Sequence, residues 1–128
     1  KMRIQKIFEK RGEAFFREIE EEISLQEIKK KNVIVSLGGG AFMNPKIKKV
    51  VLSSSKSFWL DLDLKLLERR LITSKKRPLL KDKNLKKILE KIYNERKSSY
   101  GTANYRIDCN KLDKNLIANE VIKIYENN

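Results

Sequence analysis

Val33-Ile34-Val35-Ser36-Leu37 runs without a break into Gly38-Gly39-Gly40. A short β-branched run of this kind reads as a buried strand. In a parallel sheet, ligands bind outside the carboxyl ends of the strands, which is where this triplet falls. Three glycines there let backbone N–H groups come close to an oxyanion or a hydroxyl. A plain turn is the alternative reading of the triplet, and the ligand site is the favoured one.

The rest of the chain alternates helix and strand patterns. Ile4, Ile7 and Phe8 repeat at helical spacing, and Gly12 ends that helix. Residues 13–31 read as a second helix, with Phe16, Ile19 and Ile23 on one face and acids on the other. Lys29-Lys30-Lys31 sits where the helix dipole favours cations. Asn44-Pro45 is a cap followed by a first-turn proline, opening a helix to about Leu52. Residues 57–62 read as a strand, and Asp63 caps a helix carrying Leu66, Leu67 and Leu71. Residues 73–84 are polar, basic and broken by Pro78, hence a loop. Residues 85–100 form a helix with Leu85, Ile88, Leu89 and Ile92 inward, and residues 105–109 a strand. A last helix over 113–126 buries Leu116, Ile117, Val121 and Ile124. This alternation predicts an α/β fold with a parallel sheet, in one domain spanning 1–128.

Composition removes several function classes. The chain of 128 residues has no histidine, so histidine bases, triads and metal sites are excluded. Cys109 is the one cysteine, which rules out an intramolecular disulfide and fits a reducing cytoplasm. No apolar run approaches the roughly 20 residues needed to cross a bilayer. The net charge of +13 points to nucleic acid, an anionic membrane or an anionic small molecule. No helix-turn-helix signature, strand-borne aromatic pair or zinc-ligand set accompanies it.

Lysine is the default cation here, which makes the few arginines informative: Arg3, Arg11, Arg17, Arg69, Arg70, Arg77, Arg96 and Arg106. A planar, two-pronged grip on a carboxylate or phosphate calls for arginine. Arg17 and Glu20 are three apart and share a helix face. The carboxylate fixes the guanidinium and leaves its other edge for an anion; an ordinary surface ion pair has the same spacing. Arg70 and Arg77-Pro78-Leu79-Leu80 flank the basic loop, which suits either a nucleotide lid or a solvated linker.

The ordered set resembles the shikimate kinase family: Ile7-Phe8, Gly12-Glu13, Phe16-Arg17 with Glu20, a strand ending in the triple glycine, Arg77-Pro78-Leu79-Leu80, Arg96 with Tyr100, and a strand ending Asp108-Cys109-Asn110. The resemblance covers essentially the whole chain. It implies a P-loop kinase-type α/β sheet of strand order 2-3-1-4-5, flanked by helices, and transfer of the ATP γ-phosphoryl to the 3-hydroxyl of shikimate in chorismate biosynthesis. By resemblance, Arg17 and Arg96 clamp the shikimate carboxylate and Glu20 orients Arg17. Gly38, Gly39 and Gly40 line the pocket, with Ile4, Phe8 and Phe16 as its apolar wall and helices 3–31 as its frame. Arg77 is the lid arginine, within a lid loop at 73–84, and acts catalytically. Arg70 packs on adenine, and Asn110 and Lys111 fall in the adenine-side loop. ATP and Mg2+ are the implied cofactors, and shikimate and ATP the implied partners of a cytoplasmic monomer, with no nucleic acid and no membrane. Other readings are a gluconate kinase-like enzyme, which the Phe-Arg-x-x-Glu and Arg-Pro-Leu-Leu pair opposes, and a basic nucleic-acid-binding module.

The chain departs from the family in one block. It has no G-x-x-x-x-G-K-[ST] and no acidic pair of the kind that holds Mg2+ and a shikimate hydroxyl. Both belong to the family's N-terminal β-α-β unit, which takes about 30 residues or more. The expectation is therefore a kinase lacking its first two strands and P-loop, rather than a natural P-loop-less relative, so no metal site is expected in these residues. The absent first strand belongs between residues 33–37 and 57–62, which should leave those two segments unpaired with each other. Supplied with Mg2+·ATP and shikimate, the 128-residue chain is expected to yield no phosphorylated product. Normal turnover in a coupled assay would overturn that expectation.

Overall fold

A computed structural model describes residues 3–73 and 84–128 of the chain. The chain divides into two compact units, Lys1–Ser55 and Lys56–Asn128.

In the first unit, α1 spans Ile4–Ile28 and is broken at Gly12, whose φ of 82° lies in the left-handed region. That conformation suits glycine and ends the first helical segment where the sequence predicts. A 3-10 turn, Ala41–Met43, follows the glycines, and α2 spans Pro45–Ser54. Asn44 caps α2 as expected: its Oδ1 accepts from the backbone N–H of Lys46 (2.8 Å) and of Ile47 (3.2 Å). Its side-chain amide also donates to Glu21 on α1 at 2.6 Å. One residue thus starts α2 and fastens it to α1. Ala41, Phe42, Ile47 and Val51 are buried, Ala41 and Ile47 completely.

Two expectations in this unit need correction. Ile23 is exposed, whereas Ile28 is buried. The face of α1 that meets α2 and the 3-10 turn includes Glu20 and Glu21, so polar anchors rather than the apolar period set its rotation. The run Val33–Leu37 is not a buried strand. It has no regular secondary structure, Val33 and Val35 are exposed, and Ile34 is fully so. A strand persists only with a partner for its N–H and C=O groups, and β propensity cannot replace one.

In the second unit, β1 (Phe58–Asp61) pairs in parallel with β2 (Tyr105–Asp108), and these two strands make up the sheet among the described residues. The register sets Phe58 against Tyr105, Trp59 against Arg106, Leu60 against Ile107 and Asp61 against Asp108. Between them in sequence lie α3 (Leu64–Thr73) and α4 (Leu85–Tyr100), which pack together. Such a crossover is what a parallel pair requires. α5 (Lys114–Asn127) is capped by Asp113, whose side chain accepts from the Leu116 N–H at 2.9 Å. Leu62, Ile107 and Cys109 form the core, with Phe58, Leu66, Leu67, Leu112, Ile117, Val121 and Ile124 packed on it. Leu116 was expected in that core but is exposed: Ile117, Val121 and Ile124 already fill the inward stripe of α5.

The residues at the start of α2 yield a prediction. The hydrogen bond from Asn44, aided by Lys46, holds the Glu21 carboxyl below the ordinary glutamate range, against a smaller opposing effect of burial. A lowered folded value means stability that is present above the ordinary glutamate pKa and is lost as pH falls through the folded value. Asn44→Ala should cost about 1 kcal/mol of stability through the lost cap. Glu21→Gln should flatten the acid limb of the stability curve. Urea melts between pH 3 and 7 check both; an unchanged acid limb in Glu21→Gln would contradict the second.

Candidate functional site

Several of the residues expected to bind substrate come together in the first unit, around α1 and the glycine loop. Arg17 Nη1 donates to Glu20 Oε1 at 2.7 Å, while Glu13 lies 3.7 Å from Nη2. Glu20 is the enclosed partner, its side chain only 13% exposed against 70% for Glu13. The short bond to Glu20 therefore fixes the guanidinium, and the longer, solvated contact to Glu13 adds little. Arg17 keeps 37% of its side chain exposed, enough for the fork to meet a further ligand. Its guanidinium lies 5.3 Å from the centre of the Phe16 ring, and Phe16 and Phe8 pack with centroids 4.6 Å apart and ring planes tilted by 34°. Ile4 is exposed near the start of the same helix.

The glycine loop closes on this pair. The Ala41 N–H donates to the Gly38 carbonyl at 3.0 Å, and the Met43 N–H to the Gly40 carbonyl at 3.1 Å. The chain is thereby curled through Gly39 into the 3-10 turn. The Cα of Gly38 faces Glu20, and that of Gly40 faces Arg17. Arg17, Glu20, Gly38, Gly40, Phe8 and Phe16 thus form one constellation, with a partly open guanidinium between an aromatic wall and a glycine-rich backbone. Chemically, it can grip a small carboxylate. Sequence reasoning missed Glu21 and Asn44 as the tie holding α2 at this loop. The Asn44-Pro45 cap signal located one half of that tie; nothing in the spacing of Glu21 announced the other.

The remaining site residues lie in the second unit or outside the described residues. Arg96 is half-buried on α4. Arg70 is in the last turn of α3, and Asn110 and Lys111 follow β2 directly. Asn110 Oδ1 accepts from the Asp63 N–H at 2.7 Å, and its own N–H donates to Asp108 at 3.0 Å. It therefore ties the segment after β1 to the segment after β2. Asp61, Leu62, Asp63, Leu64, Tyr93 and Asn110 line a cavity of about 240 Å3 at these strand ends. Burial, together with Asp108 and Asp61, pushes the Cys109 thiol up, while the charge of Arg70 opposes them. Cys109 is thus a core residue with little thiolate character. Arg106, among the arginines singled out by the sequence, is held by Asp61 (Nη2–Oδ2 2.6 Å) beside the Trp59 ring. Arg77-Pro78-Leu79-Leu80 and most of the lid loop lie outside the described residues.

Among the described residues, no group of three or more His, Cys, Asp or Glu is able to hold a metal ion. No helix among them is long and apolar enough to cross a membrane.

Comparison with known proteins identifies the family. The family model for shikimate kinase matches residues 1–126. The shikimate kinase of Bartonella quintana (strain Toulouse) is 33% identical over 126 residues, covering 98% of this chain and 60% of that protein. That of Mesorhizobium japonicum is 34% identical over 122 residues, covering 95% and 60%. The chain thus spans about 60% of the length of the curated relatives it matches. Among solved structures, a shikimate kinase from Acinetobacter baumannii in complex with shikimate superimposes with a TM-score of 0.88 at 26% identity, over 97% of this chain and 70% of that one. One from Bacteroides thetaiotaomicron gives 0.83 at 29% identity, over 95% and 72%. The α/β class is therefore that of the solved shikimate kinases, and the chain belongs to the shikimate kinase family.

Proposed function

We propose that the chain serves ATP-dependent phosphorylation of the shikimate 3-hydroxyl, and that its own principal part is to hold shikimate. The observation that carries this reading is the Arg17–Glu20 pair seated against Gly38 and Gly40. A solved relative that binds shikimate supports the choice of ligand.

In this reading, the Arg17 fork takes the shikimate carboxylate and Glu20 keeps the fork aimed. A charge-assisted, two-pronged bond fixes orientation as well as affinity. Backbone N–H groups of the glycine loop meet the ring substituents, and Phe8 and Phe16 supply its apolar wall. By the family resemblance, Arg96 is the other carboxylate arm. Arg70, Asn110 and Lys111 serve the adenine side of ATP. Arg77 neutralises charge on the transferring phosphoryl group, the catalytic role available to an arginine in such chemistry.

The residues described do not supply the phosphate cradle or a ligand set for Mg2+. The sequence contains no G-x-x-x-x-G-K-[ST], and no metal-holding group occurs among the described residues. The family match over residues 1–126 supports reading 1–128 as part of one kinase domain. The remaining proposals are a cytoplasmic monomer whose partners are shikimate and ATP, with the +13 charge a lysine bias rather than a nucleic-acid or membrane surface.

Calorimetric titration with shikimate tests the clamp. Arg17→Lys keeps the charge and removes the fork, so binding should weaken by about 1.5–3 kcal/mol. Arg11, which stacks on Phe15 (5.1 Å from the ring centre), gives the control: Arg11→Lys should bind as the unaltered chain does. Equal affinity in Arg17→Lys would remove Arg17 from the site.

A further inference from the structure

Gly40 has an ordinary backbone conformation, φ −89° and ψ −14°, which any residue adopts. Conformational freedom therefore does not explain a glycine there. Space does. A β-carbon on Gly40 would lie 2.5 Å from Arg17 Nη1, 2.7 Å from Nη2 and 2.8 Å from Cζ. All three distances are well inside van der Waals contact, and all three atoms belong to the guanidinium. At Gly38 the corresponding contact is 3.3 Å, to Glu20 Oε2. The two glycines thus match the two members of the ion pair: the tight seat lies under the cation and the looser one beside the anion.

We propose that Gly40 is a positioning residue for Arg17: the missing β-carbon is the recess in which the guanidinium lies flat, in line with Glu20 and facing the ligand. This rests on the shikimate reading and adds to it, because Gly40 acts through Arg17 rather than only as a backbone donor in the pocket wall. An added methyl leaves the Gly40 backbone undisturbed, so the chain yields at the end of the arginine side chain, which must lift from its seat. The 2.7 Å bond to Glu20 and the angle of the fork then change together. A lysine at position 17 has no plane to seat, so a methyl at position 40 should matter far less to it.

The test is a double-mutant cycle on the full chain, read by shikimate titration. Gly40→Ala should weaken binding about tenfold or more. In the Arg17→Lys background the same change should cost about threefold or less, because coupled residues are not additive. An equal loss in both backgrounds would show that Gly40 acts through its backbone alone, and no loss in either would remove it from the site. A second reading needs no ligand. In chain labelled with 15N-arginine, Gly40→Ala should move the Arg17 Nε–H resonance, and an unmoved signal would overturn the proposal. If the unaltered chain fails to bind shikimate, the functional reading fails and the Arg17 resonance alone decides the role of Gly40.

Discussion

Arg17 and Glu20 lie one helical turn apart, and the 2.7 Å bond between them decides where a guanidinium can point in the first unit. α1 presents Glu20 and Glu21 to the 3-10 turn and α2 instead of completing an apolar stripe, which leaves Ile23 in solvent. Asn44 takes the second carboxylate while capping α2. The glycine loop supplies recesses rather than side chains, so backbone approaches both charges directly. A partly enclosed ion pair of this kind contributes little net stability by itself. Its value lies in geometry, since a fork held by one carboxylate is already oriented for another.

The second unit is held together differently. Its parallel pair carries Leu62, Ile107 and Cys109 into an apolar core under α5, while Trp59, Asp61 and Arg106 interact through stacking and an ion pair. Beyond the strands, Asn110 binds the Asp63 N–H and so sets the spacing of the two segments that leave the sheet. That tie lies at the carboxyl ends of the strands, where ligands bind in parallel sheets.

Much of this was legible in the sequence because its signals are local. Asn44-Pro45 and Gly12 each mark a helix boundary through the chemistry of one or two residues, and each stands where it was read. The three-residue spacing of Arg17 and Glu20 gave their pairing, and the glycine triplet gave the loop. The misreadings share a different cause. Val33–Leu37 has the composition of a strand, but pairing is a property of two segments, and composition reports only one. Ile23 and Leu116 fit the helical period, yet which side of a helix is buried depends on what packs against it. The recess at Gly40 was illegible in principle: the triplet is visible in the sequence, but which glycine lies under which charge is a matter of ångströms.

The central claim is that shikimate is held where Arg17, Glu20 and the glycine loop converge. A 1H–15N NMR titration of the chain with shikimate tests it most directly. The account predicts that the largest saturable shifts fall on the backbone amides of Gly38, Gly39 and Gly40 and on the Arg17 side chain. Shifts confined to the segments after β1 and β2, around Asp63 and Asn110, or no saturable shifts at the glycine loop, would contradict it.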